Sequence, residues 1–206
     1  MPRDRDLQSR GTGRDPARMR SVWPLVLLCA GLLLAPPLRA ETRAQAEQAQ
    51  LDRLFAALRT APDETVAALL EARIRHIWRG QASPAVALLM ARGDRDVAHD
   101  ARDDALADFD AVLDLAPDYA VGYAHRAVAR AAAGDYAGAV RDIEQALRRE
   151  PRDFVALRTL SRIAEEQSNW RGALDAWRRA LDIDPRMPDG AQRLEMLRKK
   201  AEGEAT

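Results

Sequence analysis

Three prolines, Pro117, Pro151 and Pro185, stand 34 residues apart, and a chain punctuated at one fixed interval is built from a single small unit used several times. The columns between the prolines repeat with them. Twenty-four residues before each proline stands a small residue (Gly93, Ala127, Ser161), and twelve before stands Ala105, Ala139 or Ala173. Small side chains at two fixed columns let two helix axes approach closely. Eight before come the large Phe109, Ile143 and Trp177, and four before come Leu113, Leu147 and Leu181, which continue a buried stripe at helical spacing. Gly134-Asp135-Tyr136 and Ser168-Asn169-Trp170 supply turns, and each proline stops a helix. The unit is a helical hairpin, present three times over residues 86–187. In the first copy Asp100 stands at the turn glycine's column and Asp96 where an aromatic is expected, so a frayed or shifted first helix is expected there.

One column pair adds a contact. Where the residue 25 before the proline is Arg (Arg92, Arg126), the residue nine before is Asp (Asp108, Asp142), and in the third copy the two columns hold Leu160 and Ala176. Charge matches charge and apolar matches apolar, so the two columns are expected to face each other across each hairpin. Residues 43–60 and 63–80 read as two further amphipathic helices, broken at Ala61-Pro62-Asp63, with Leu51, Leu54, Phe55 and Leu58 on one face and Leu70, Ile74, Ile77 and Trp78 on the other. They lack the repeat columns and are expected to cap the N-terminal end. A last helix over about 189–202, with Leu194 and Leu197 inward, caps the other end, as stacked repeats require.

From Arg18 to Ala40 a short basic segment, an apolar run (Val22 to Ala35) and Pro36-Pro37-Leu38-Arg39-Ala40 follow in the order of a secretory signal peptide, with cleavage expected after Ala40. An uncleaved inner-membrane anchor is the alternative. Residues 1–18 are polar and Arg-rich and fit translation starting at either Met1 or Met19. The chain thus divides into an extension and leader (1–40), a helical pair (41–85), the three repeats (86–187) and a capping helix with tail (188–206). Two lysines and one asparagine beside abundant Ala and Arg suit a GC-rich bacterial genome.

Chemistry is sparse. After residue 40 there are 25 basic and 29 acidic residues, a poor electrostatic match for nucleic acid. Cys29 is the one cysteine, which excludes a disulfide or thiolate metal site in the folded part. There is no Gly-rich phosphate loop, His-Glu-x-x-His helix or nucleophile elbow. His76, His99 and His125 have no metal-ligand spacing, and Asp94 to Asp110 lacks a calcium loop's central glycine and closing Glu. No catalytic residue, metal or cofactor is expected.

The combined small, Ala, large, Leu and Pro columns, best in Tyr123 through Pro151, resemble the tetratricopeptide-repeat family, in an exported bacterial form. The resemblance covers about residues 86–187 and implies an all-α, right-handed solenoid of antiparallel helix hairpins that binds an extended peptide or a partner helix. The first helix of each hairpin would line the concave groove, with Ala87, Met90 and Asp94, then Val121, Ala124 and Val128, then Val155, Arg158, Arg162 and Glu165. Members that bind chaperones clamp a terminal carboxylate with Lys and Asn on these helices; neither residue stands on them here, so that partner class is not expected. Arg158 and Arg162, four residues apart on one helix face, are the expected contacts for a partner carboxylate. The function this implies is a periplasmic protein-binding scaffold, with a self-assembling structural subunit or a small-molecule binder or enzyme as alternatives.

Overall fold

The computed structural model describes residues 38–203, with side chains from residue 43 on. The chain divides into two compact units, Met1–Ala44 and Gln45–Thr206. Most of the expected leader lies outside the described residues. Among those residues the structure is all helical: α1 (Leu38–Arg59), α2 (Glu64–Gly80), α3 (Pro84–Ala98), α4 (Arg102–Leu115), α5 (Ala120–Ala132), α6 (Tyr136–Arg149), α7 (Phe154–Glu166), α8 (Trp170–Ile183) and α9 (Gly190–Gly203). Each repeat is an antiparallel pair, α3/α4, α5/α6 and α7/α8, and successive pairs stack into a solenoid.

Local sequence sets the helix ends. The carboxylates of Asp63, Asp135 and Asp153, the Asn169 amide oxygen and the Ser83 hydroxyl each accept a backbone N–H from the first turn that follows. Pro84 follows Ser83 at the first position of α3, where its missing N–H costs nothing. At the turn inside each repeat one residue takes a left-handed conformation: Asp100 at φ 60°, Gly134 at φ 83° and Ser168 at φ 57°. They share one column of the period. The aspartate tolerates this conformation because short polar side chains do, and α3 runs unbroken through Gly93-Asp94-Arg95-Asp96. The frayed first helix expected from the sequence is therefore corrected.

The small columns sit where helices touch. A Cβ added to Gly93 would lie 2.7 Å from the Phe109 ring, and the Ser161 hydroxyl donates to the Ala173 carbonyl at 3.0 Å. Ala105, Ala127, Ala139 and Ala173 have no exposed surface. Phe109, Ile143 and Trp177 are buried beside them, and the Trp177 indole donates to the Gly190 carbonyl at 3.0 Å, which seats α9 on the last repeat. The charged columns meet as expected: Arg92 pairs with Asp108, and Arg126 grips Asp142 through two bonds of 2.9 and 2.7 Å.

The helical pair α1/α2 departs from expectation. It does not cap an end but lies along the array. Arg186, in the loop after α8, donates to the Ala61 carbonyl at 3.2 Å. Glu71 bonds Arg158 of α7 at 3.1 Å. Trp78 stacks on Phe154 at 5.6 Å between ring centroids, and Gln81 lies in a hollow with the Ala116–Tyr119 loop. Thus α2, about 25 Å long at 1.5 Å per residue, runs from near the loop after the third repeat back to the loop after the first. On its flank α1 sets Phe55 beside Trp78, while Arg152 bonds Asp52 at 2.8 Å and stacks over Phe55. The reason is on α2 itself: its buried stripe is Ala67, Glu71, Ile74 and Trp78, and a carboxylate in that stripe requires a cation facing it.

Candidate inner-face binding site

Two of the hollows among the described residues open along the first helices of the repeats, on the side that the family resemblance assigns to the inner face. The first, of about 290 Å³, lies between α2 and helices α5 and α7, with Val121, Ala124 and Val155 as its apolar floor and Trp78, Arg75, Arg79, His125, Asp153 and Arg158 around it. The second, of about 400 Å³, is lined by Val97, Val128, Ala131, Ala132, Tyr136, Ile163, Arg162 and Glu166.

The residues expected to form one groove are divided between these hollows and the core. Ala124, Val155 and Arg158 border the first, Val128 and Arg162 the second. Met90 is buried in the core that continues under α2. Arg158 and Arg162 do not act as a basic pair. Arg158 already holds the Glu71 carboxylate and stacks over Phe154 at 5.2 Å, whereas Arg162 is exposed. Glu165 is engaged by Arg193 of α9. The Asp94 carboxylate meets His125 Nδ1 at 2.5 Å.

Sequence reasoning missed the contribution of α2, namely Glu71, Arg75, Trp78 and Arg79. The signal was present as an acidic residue on an otherwise apolar stripe, followed by arginine one turn later. Arg75 bonds the second Glu71 oxygen at 2.6 Å, while the Arg79 guanidinium borders the first hollow.

Two buried carboxyls border this region. Burial pushes Asp153 up to about 6, against two backbone N–H bonds that pull it down. Burial, then the neighbouring Glu71 carboxyl, pushes Asp184 up to about 6, opposed by the Arg186 N–H and the Arg158 charge. Both folded values lie above the ordinary aspartate value, so the proton stabilises the fold fully below about pH 4, and that stability is lost as pH rises through 6. Urea unfolding should show greater stability at pH 5 than at pH 7.5, by on the order of 1–3 kcal/mol. Asp184→Asn should flatten part of this difference; an unchanged profile would mean that Asp184 is ionised throughout.

Among the described residues no group of three or more His, Cys, Asp or Glu side chains could hold a metal ion. The site offers surface and charge, with no nucleophile beside a base.

No family profile matches the chain. A TPR repeat-containing protein of Rhizobium etli is 32% identical over 158 residues, covering 76% of this chain and 77% of the relative. Among solved structures, the Sgt2 TPR domain of Aspergillus fumigatus matches with a TM-score of 0.54 at 24% identity, over 58% of this chain and 81% of that one. The first TPR domain of Spaghetti, solved bound to an HSP90 peptide, matches with a TM-score of 0.54 at 19% identity, over 61% of this chain and 97% of that one. The shared period, the hairpin stack and the Rhizobium etli relative make this chain a member of the tetratricopeptide-repeat family.

Proposed function

We propose that the chain is an exported scaffold that holds a peptide or helix of a partner protein on its inner face, in the assembly of a bacterial envelope complex. The observation that carries the binding reading is the second hollow. Val128, Val97 and the alanines of α5 give it an apolar floor, and Arg162 and Glu166 stand at its edge, so side chains of a partner segment can be buried while its polar groups meet charge. The similarity to a TPR domain solved with a peptide supports the same use of the fold. Export rests on the Arg18–Ala40 pattern. No helix among the described residues is long and apolar enough to cross a membrane.

The test uses the whole chain as bait in envelope extract. Val128→Glu with Arg162→Glu should reduce capture of its specific partner by about tenfold or more, the effect of losing contacts worth 1.4 kcal/mol or more. Arg141→Glu, at an exposed site on α6, should leave capture unchanged, and helicity should be the same in all three proteins. Equal capture by all of them would move the partner surface off the inner face. An alkaline phosphatase reporter fused after residue 45 should be active outside the cytoplasm; activity confined to the cytoplasm would remove the envelope from the reading.

A further inference from the structure

The first hollow and the way α2 borders it carry a second conclusion about the inner face. In the stacked hairpins every first helix is held by repeat columns, but α2 has none of them and is held by side chains alone. Its Glu71 carboxylate lies between Arg75 and Arg158, and its Trp78 indole lies on Phe154. It also stands across the first hollow from Val155 and Arg158, in the near half of the face on which a partner segment would sit.

This seat is less complete than the core below it. The buried Trp78 Nε1 has no hydrogen-bond partner among the described residues, the first hollow, of about 290 Å³ and open to solvent, separates part of α2 from α5 and α7, and Glu71 faces the buried Asp184 carboxyl. Interiors are packed densely and pair their buried donors. A solvent-open hollow, an unpaired indole and two facing carboxyls at one contact mark a docked surface that can open. The opposite face of α2, with Leu69, Ala72, Arg73 and His76, is exposed among the described residues.

We propose that α2 is a resident occupant of the near half of the groove, and that the partner reaches this half by replacing it with an amphipathic helix of the same pattern. That pattern is a carboxylate, a branched aliphatic side chain three residues on and an aromatic one seven residues on, as in Glu71, Ile74 and Trp78. The carboxylate takes Arg158 and the aromatic takes Phe154. The inference rests on the inner face being the partner surface. Because the site is closed by its own helix, its apparent affinity is reduced by the fraction of molecules in which α2 is away.

A fluorescein-labelled peptide of residues 64–81 is the probe, and its anisotropy is titrated with three forms of the full chain. The unmodified chain should bind it weakly. Trp78→Ala, which loosens the resident helix, should bind about tenfold tighter or better, because the open fraction rises. A chain with Asp52→Cys, Arg152→Cys and Cys29→Ser, bridged by a short bismaleimide, should not bind. The native side chains at these two contact positions lie 2.8 Å apart, so the bridge ties the α1/α2 pair to the array and leaves Arg158 and Phe154 in place. A control peptide with the glutamate changed to arginine and the tryptophan to alanine should bind none of them.

Equal binding by all three forms, binding by the bridged chain, or binding of the control peptide would overturn the proposal. Hydrogen exchange on the unmodified chain gives a reading that does not depend on the variants folding. The amides of α2 should exchange together through an opening that leaves α5 to α8 protected, and α2 exchanging only when the whole array unfolds would overturn it too. Peptide exchange can fail while Val128→Glu with Arg162→Glu still abolishes capture; that outcome sinks the resident helix and leaves the groove.

Discussion

Trp78→Ala is expected to detach α1 and α2 from the inner face while α3 to α9 stay folded. The indole is 6% exposed, lies against Phe55 at 5.9 Å and Phe154 at 5.6 Å, and joins the α1/α2 core to that of the first repeats. Removing a buried tryptophan costs about 3–5 kcal/mol in lost transfer energy and cavity. Here the loss falls on a contact made by side chains, so calorimetry should resolve a low-temperature transition for α1/α2 ahead of the main one. Trp78→Phe separates the terms. It removes an unpaired buried donor worth about 1–3 kcal/mol and gives up part of the ring area, so its net cost should be far smaller. A single transition shifted as a whole by Trp78→Ala would mean that α1/α2 and the repeats fold as one unit.

The repeats could be read from sequence because their contacts recur at one spacing. Gly93 under Phe109 and Ser161 bonded to Ala173 are the small columns in atomic form, and the Arg-to-Asp column pair foretold the Arg92–Asp108 and Arg126–Asp142 bridges. A period also predicts which residues share one side of the array, and Ala124, Val128, Val155 and Arg158 border the two hollows.

What the sequence did not disclose involves contacts made once. An amphipathic pattern says that α2 buries a face, not what it buries it against. Its partners, Phe154 and Arg158, lie 76 and 87 residues away at positions that read equally well as groove or surface. The same limit explains the divided basic pair. Arg158 and Arg162 are one turn apart on α7, yet Glu71 claims one and leaves the other open. Glu165 likewise reads as groove lining until α9 brings Arg193 to it.

The middle repeat holds the largest electrostatic effect expected in the array. Asp142, 2% exposed, accepts from Arg126 at 2.9 and 2.7 Å and from Arg130, one turn later, at 2.8 Å. Arg126 also reaches Asp110 of the preceding repeat at 2.6 Å, so it ties two hairpins together. The hydrogen bonds to Asp142 raise the Arg126 pKa above its ordinary value, which keeps the guanidinium charged at any working pH. Arg126→Leu alone should cost about 1–3 kcal/mol, because Arg130 still satisfies one Asp142 oxygen. Arg130→Leu should cost less, since Arg126 alone holds both oxygens. Removing both arginines leaves a buried carboxylate with no cation beside it, and breaking a buried pair in this way costs about 3–5 kcal/mol. The double loss should therefore exceed the sum of the single ones in urea unfolding. Adding Asp142→Leu to the double variant should restore much of it, because an apolar group in that place has no desolvation to recover. Strict additivity, or no recovery in the triple variant, would mean that water reaches Asp142 and that the two arginines act on the surface alone.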